Sequence, residues 1–366
     1  MAAVVTDLDS RVRERARALG FDAAGVARAD VPLGEEFARY AAFVADEMHG
    51  EMTYLAENAA ARERLDTDAI LPGAKSVVCV ARRYQRSAED EASDPPFARH
   101  IARYARGRDY HNGTRKKLRQ LAAFLRSLGT DDAPVHARPL VDDAPILERA
   151  WAARAGLGFV GKNGMLIVPG EGSFVLLGEV VTTLALTPDA PIHERCGSCT
   201  RCLDACPTQA FPRPFVLDPR RCVAYLTIEQ RSPIPPEHRA SIGSRLFGCD
   251  DCQTVCPFNR SARPRGRDGA APFAPHARWS ETEIVDLLSM DDEGWGRLSE
   301  GSPLRRATAD GLARNAAIVL GNGDGSGRAV EALHDAAEAH PSEMVREAAG
   351  WALARLRGRN EDSGAA

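Results

Sequence analysis

The sequence predicts an α+β multidomain chain. An α/β domain covers residues 1–187, a compact cysteine-rich domain 188–262, a linker or wrap 263–300, a helical-repeat domain 301–358, and a disordered tail 359–366. Three observations carry this division. Strand-like and helix-like segments alternate through the first half. Eight of the nine cysteines lie within 61 residues, Cys196 to Cys256. Two Ala-rich segments near the end, starting at Arg314 and Arg346, align 32 residues apart. At roughly 100–200 residues per domain, a chain of 366 residues holds two or three such units.

In the first domain, residues 10–20 form a helix with an Asp/Ser start and a Gly stop. Residues 23–27 read as a short strand, 35–46 as an amphipathic helix, and 76–81 as a buried strand around Cys79. Residues 115–128 form a basic helix ending at Gly129. Strand 135–141 follows, then a helix that Pro145 opens at the favoured first position, then strands 165–168 and 174–186. This alternation argues an α/β sandwich. No P-loop or strand-linked GxGxxG is present, so nucleotide binding has no support.

Composition narrows the partners. Hydrophobic residues make up 44% and charged residues 27%, an ordinary globular mix. Basic residues number 47 against 51 acidic ones, a net charge of −4, which excludes a uniformly cationic nucleic-acid protein. A local basic run remains: residues 99–126 hold nine cations and one acid. It reads either as a solvated helix face or as a polyanion contact. No apolar run approaches the ~20 residues that span a bilayer, and MAAVVTDLDS lacks a signal-peptide core. A cytoplasmic location is therefore expected, where thiols stay reduced and clustered cysteines are better read as metal ligands than as disulfides.

The second domain begins CGSCTRCLDACP, the spacing C-x2-C-x2-C-x3-C-P. Three thiolates in one tight loop can wrap a cubane, and the fourth points to a neighbouring one, so this spacing reads as ferredoxin-like [4Fe–4S] binding. Cys222, Cys249, Cys252 and Cys256 repeat the motif with its first cysteine displaced by an insertion. The expected ligand sets are Cys196, Cys199, Cys202 and Cys256 for cluster one, and Cys222, Cys249, Cys252 and Cys206 for cluster two. Structural zinc is the alternative.

Residues 261–280, rich in Arg, Pro, Gly and Ala, suggest a linker or extended wrap. The 32-residue alignment beyond it suggests HEAT-like helices stacked into a curved surface, with a plain helical cap as the simpler reading. Asp142 closes a strand ahead of Pro145, either as a turn residue or as a functional acid.

Taken in order, RYARGRDYH (103–111), VDDAPILERAWAARAGLGFVGKN (141–163), CGSCTRCLDACPTQA (196–210), RCVAYLTIEQ (221–230) and GCDDCQTVCPFNR (248–260) resemble the epoxyqueuosine reductase family. The resemblance covers residues from about 10 to 356. It implies that the first domain binds cobalamin and that two [4Fe–4S] clusters feed it. The reaction would be reduction of epoxyqueuosine to queuosine at the wobble position of tRNAs for Asp, Asn, His and Tyr. The family's proton-donating aspartate falls on Asp142, whose pKa would have to be raised by burial to serve at neutral pH. Cobalamin contacts fall on Arg64, Asp142, Lys162, Asn163, Ser173, Tyr225 and Thr227. Some relatives carry a cysteine where this chain has Ala105 or a neighbour. HEAT-like helices would help hold the tRNA anticodon stem-loop, with Arg305, Arg306 and Arg314 on phosphate. An unidentified electron donor, no membrane and a monomeric chain complete the expectation. A dehalogenase-like cobalamin and iron–sulfur reductase acting on a small molecule is the competing reading. An electron-transfer protein without cobalamin is the third.

Overall fold

The computed structural model describes residues 2–142, 144–260, 262 and 273–364. Among them run six strands: β1 (Ala23–Arg28), β2 (Ser76–Arg83), β3 (Ala137–Leu140), β4 (Phe159–Val160), β5 (Leu166–Ile167) and β6 (Val175–Thr182). Four of these make one sheet in the order β1-β2-β6-β3, and β4 pairs with β5. Helices cover both faces, as an α/β sandwich requires. Every pairing in the sheet is nevertheless antiparallel. Alternating periodicity reports local structure and carries no information on strand direction, so the sequence did not reveal this.

Side chains alternate across the sheet. Val78, Val80 and Val180 face Leu118, Leu121 and Leu125 of the helix Tyr110–Arg126. Val77, Cys79, Ala81 and Val181 face Trp151 of the helix Glu148–Arg154. Each fully buried Leu or Val contributes about 1.5–3 kcal/mol. The first helix can press onto β6 because Gly178 has no Cβ; one added there would lie 2.8 Å from Leu118 Cδ1.

Two helix starts differ from expectation, and both differences shape the site. The basic helix begins at Tyr110 because Asp109 caps it, accepting the His111 N–H at 2.9 Å. The next helix begins at Glu148, not Pro145. Its approach turns tightly at residues 144–146, where the Ile146 N–H reaches Ala144 O.

One apolar core runs from the segment around Phe97 and Ile101 through Leu226 and Phe247 to the C-terminal helices. Those helices are Ala309–Asn322, Gly327–Ala339 and Glu343–Gly364. The first and third touch through small residues: a Cβ on Gly321 would lie 2.6 Å from that of Ala352. The last helix continues to Gly364, past the expected tail boundary at 359; residues 365–366 lie outside the described residues. Most of the Arg/Pro/Gly-rich wrap, 263–272, also lies outside them. Beyond it, Phe273 packs near Tyr84, and Trp279 donates to Arg106 O at 2.6 Å.

Arg314 corrects a sequence expectation. It is 1% exposed and donates to the carbonyls of Leu226, Gln230 and Ser232. Beside it, Asn315 donates to Thr227 O at 2.8 Å. The pair thus caps the carbonyl end of the helix Val223–Ile228, whose last C=O groups lack partners of their own. Burial lowers the pKa of Arg314 to about 10. A buried side chain spent on three carbonyls cannot reach a phosphate. Arg314→Ala is expected to cost about 3–5 kcal/mol, because it orphans buried acceptors. A urea unfolding midpoint equal to that of the parent chain would contradict this role.

Candidate functional site

The eight clustered thiols interact with one another electrostatically, although among the described residues no three His, Cys, Asp or Glu side chains stand close enough to hold a metal ion. Cys256 lies within electrostatic range of Cys199 and Cys202, and Cys202 of Cys196. Cys222 interacts with Cys206, and Cys249 and Cys252 with Cys222. Cys252 also feels Cys202, so the groups adjoin. Burial pushes Cys196 up to about 11 and Cys249 up to about 12, so iron must displace protons to bind.

The donor set suits iron–sulfur clusters. Backbone N–H groups aim at the sulfurs: Lys162 at Cys196, Ala224 and Tyr225 at Cys222, Asp251 at Cys249, Phe258 and Asn259 at Cys256. The Ala210 N–H reaches Cys206 Sγ at 3.2 Å. Such donors stabilise thiolate charge around a cluster. Arg245 stands against the Cys249 sulfur and also pairs with Asp251.

The second thiol group adjoins the 101–111 loop. Ile101 bridges to Phe247, and Ala102 N–H donates to Phe247 O at 2.8 Å. Gly248 allows this approach; with φ +73° it turns away, and a Cβ there would lie 2.7 Å from Ala102 Cβ. Asp250 accepts the Arg103 N–H at 2.8 Å. Tyr104 follows on this loop and meets Tyr110 edge-on at 6.1 Å.

Beyond these tyrosines lies an acid–base group. His111 Nε2 is 2.7 Å from Asp142 Oδ2, and His111 Nδ1 is 2.6 Å from Asp109 Oδ1. The Tyr110 ring stacks on the imidazole at 4.2 Å. Donating hydrogen bonds to two carboxylates raises His111 to about 9. His111 in turn holds Asp142 below its ordinary value, outweighing burial. The expectation of an Asp142 raised by burial is therefore reversed: the proton rests on the imidazole.

Asp142 sits in the left-handed region, φ +48°, with its N–H on Glu148 Oε1 at 2.7 Å. Its side chain is 54% exposed although protein surrounds it on most sides. Arg149 is likewise hemmed in yet exposed. Side chains that protein surrounds and water still reaches mark a concave surface, a recess beside the acid–base group. Tyr54, 44% exposed, stands at its mouth with the Arg306 guanidinium 5.5 Å above its ring. Arg306 pairs with Glu229 at 2.9 Å and lowers Asp142 slightly. Arg305 is exposed next to it.

The residues expected to touch cobalamin are placed variously. Arg64 forks onto Asp66 at 2.6 Å and is partly exposed. Lys162 donates to Gly197 O and Cys199 O, and Asn163 to Cys252 O. Ser173 is buried against Gln253 and Asn259. Thr227 is buried between Val223 O and the Gly248 N–H. Tyr225 Oη accepts the Glu51 N–H at 2.8 Å. Five of the seven therefore bind protein groups along the wall between the cysteine domain and its neighbours. Sequence reasoning did not single out His111, Tyr110, Tyr54 or Glu148 as site residues. All but Tyr54 lay inside quoted motifs, and only the fold joins His111 and Tyr110 to Asp142.

Comparison with known proteins bears on this site directly. Residues 195–259 match a family described as a 4Fe-4S double cluster binding domain. Residues 64–143 match the family described as epoxyqueuosine reductase QueG, DUF1730. The chain is 41% identical to the epoxyqueuosine reductase of Pseudomonas aeruginosa over 95% of its own length and 94% of that protein. It is 35% identical to that of Escherichia coli over 96% and 90%. Among solved structures, an epoxyqueuosine reductase with a tRNA-Tyr epoxyqueuosine-modified stem loop superimposes with a TM-score of 0.83 at 30% identity, covering 96% of this chain and 91% of that one. The Bacillus subtilis enzyme, solved with its catalytic aspartate loop swung out of the active site, also gives 0.83 at 30% identity and the same coverage. No helix among the described residues is long and apolar enough to cross a membrane. Similar to these enzymes in sequence over nearly its whole length and in fold, the chain belongs to the epoxyqueuosine reductase family.

Proposed function

We propose that this chain reduces the epoxide of epoxyqueuosine in tRNA to the alkene of queuosine, with the His111–Asp142 couple as the proton source. The observation that carries the reading is the 2.7 Å contact between His111 and Asp142 in a recess that adjoins the second thiol group through the 101–111 loop. Removing the oxygen as water takes two electrons and two protons. Side chains supply no low-potential electrons; when bound, cobalamin and two [4Fe–4S] clusters supply them. Cluster ligands would be Cys196, Cys199, Cys202 and Cys256 for one cluster, and Cys206, Cys222, Cys249 and Cys252 for the other.

The recess suits cobalamin and a nucleobase together. It offers aromatic faces at Tyr54, Tyr104 and Tyr110 and polar groups at Asp142 and Arg149. Asp142 and Arg64 are exposed enough to meet cobalamin. Lys162, Asn163, Ser173, Tyr225 and Thr227 hold the wall behind it and fix the cluster loops. Asp142 faces the open recess and orients the imidazolium that carries the proton. Left-handed backbone at a non-glycine residue is costly and is kept here by the Glu148 hydrogen bond.

Arg305 and Arg306 are the remaining candidates for tRNA phosphate, with Tyr54 as a stacking surface for a base. The three C-terminal helices support them and would form the HEAT-like end of the tRNA surface. Charge reversal at Arg305 and Arg306 is expected to weaken stem-loop binding and to flatten its salt dependence by about one unit of slope for each phosphate no longer neutralised. An unchanged slope in a fluorescence titration would reject both. The tRNAs for Asp, Asn, His and Tyr are the expected substrates and the cytoplasm the expected location. Relatives named for this activity match over nearly the full length, which favours an RNA substrate over a small organohalide. An anaerobic assay on an epoxyqueuosine-bearing stem-loop, read by mass spectrometry for loss of one oxygen, tests the reading as a whole. An intact epoxide after full reduction of the holoenzyme would refute it.

A further inference from the structure

Two carboxyls beneath the recess are unused by this chemistry. Glu179 lies in the middle of β6, opposite Cys79 of β2 and Leu140 of β3. It is wholly excluded from solvent, and the one side-chain hydrogen-bond partner it is given among the described residues is the Glu148 carboxyl. Its strongest ionisable neighbour is Glu148, on the helix packed over that face of the sheet. Glu148 in turn accepts the Asp142 N–H. Glu148 therefore stands between Glu179 in the sheet and the backbone of Asp142.

A buried unpaired charge costs several kcal/mol, so the group stays neutral instead. Two adjoining carboxyls cannot both ionise. The pair must therefore hold at least one proton at neutral pH, directly under Asp142. An acid in mid-strand whose one side-chain partner is another buried carboxyl contributes little to packing that an apolar residue would not supply better, and such a group calls for an explanation.

We propose that Glu148 is the relay that delivers the second proton of the reduction to Asp142, and that Glu179 is the positioning residue that keeps Glu148 protonatable. This rests on the reading of Asp142 as part of the proton source. The first proton leaves the His111–Asp142 couple for the departing oxygen. The Glu148 O–H then breaks and an O–H forms on Asp142. Glu148 is left as a carboxylate facing the Asp142 N–H and the Arg149 charge. The second proton completes water, and solvent in the recess restores both donors. The ionisable groups facing the pair are Cys79 from β2, Asp142 from the loop after β3, Arg149 from the same helix, and His111 and Tyr110 from the start of the helix Tyr110–Arg126. Burial pushes Glu148 up to about 7 and holds Glu179 well above the ordinary carboxyl value, in keeping with the role.

Glu148→Gln and Glu179→Gln in the full chain test it by three readouts. Glu148→Gln keeps an acceptor for the Asp142 N–H but carries no proton. Infrared difference spectra across pH 5 to 9, which need no turnover, should show a deuterium-sensitive protonated-carboxyl band in the parent chain at pH 7, diminished in both variants. Glu179→Gln should melt at or above the parent temperature. Single-turnover rates should fall by about 10- to 100-fold in Glu148→Gln, and Glu179→Gln should shift the pH profile of the rate to lower pH. Absence of the band at pH 7, or a Glu179→Gln enzyme with the parent pH profile, overturns the proposal and leaves the Asp142 reading standing. A fully active Asp142→Asn enzyme overturns that reading, and the relay with it, whatever the infrared spectrum shows.

Discussion

Asp142→Asn is expected to lose about 10²–10⁴-fold in turnover, the range of one general acid, while keeping both clusters, cobalamin and stem-loop affinity. The asparagine preserves shape and can still meet His111, so the recess survives. What it removes is the carboxylate that lets a proton pass from the imidazole to the substrate oxygen. His111 keeps Asp109 as a partner and stays raised, though less than at present. The pH dependence follows from the directions. His111, raised to about 9, stabilises the folded loop fully below its ordinary value near 6.5, and that contribution is lost as pH rises through about 9. Asp142 and Asp109 are both lowered, so their contribution is present above about 4, the ordinary carboxylate value, and is lost as pH falls through the depressed folded values. Activity should accordingly decline on the basic side, first as Glu148 loses its proton near 7 and completely as His111 does so near 9. An Asn variant that turns over at the parent rate would remove Asp142 from the chemistry.

The residues differ in how openly they announced themselves. Cysteine spacing was legible because a metal-wrapping loop is built from neighbours in sequence. His111 was not, because its importance depends on Asp142, 31 residues away. Glu179 visibly interrupts the apolar run 174–186, but only the fold shows that this acid is buried beside Glu148. Arg314 was misread because an arginine on an Ala-rich helix resembles a surface cation, and only the fold sets the carbonyls of Leu226, Gln230 and Ser232 around it. Pro145 followed the rule for helix starts, but the tertiary bond from the Asp142 N–H to Glu148 set the boundary instead. Local rules hold where contacts are local and fail where a distant partner competes.

Cys256→Ser should abolish electron delivery, and its pattern of iron loss tests how the cysteines cross. In chain order Cys256 belongs with Cys249 and Cys252, yet in the fold it stands by Cys199 and Cys202. Serine at this position is therefore expected to empty the cluster held by Cys196, Cys199 and Cys202, and to leave the one held by Cys206, Cys222, Cys249 and Cys252. Iron should fall by about half, from roughly eight atoms to four, the content of one cubane. Cys206→Ser should produce the converse loss. Electron paramagnetic resonance of the reduced protein distinguishes the two: two nearby clusters give a coupled spectrum, and either variant should give the simple spectrum of a single cluster. The two simple spectra should differ, because Arg245 stands by Cys249 and no such cation is placed at Cys256 among the described residues. The hydrogen bonds and charge around a cluster set its electronic character. If Cys256→Ser instead yields the same surviving spectrum as Cys249→Ser, the two cysteines serve one cluster, and the crossed assignment is wrong.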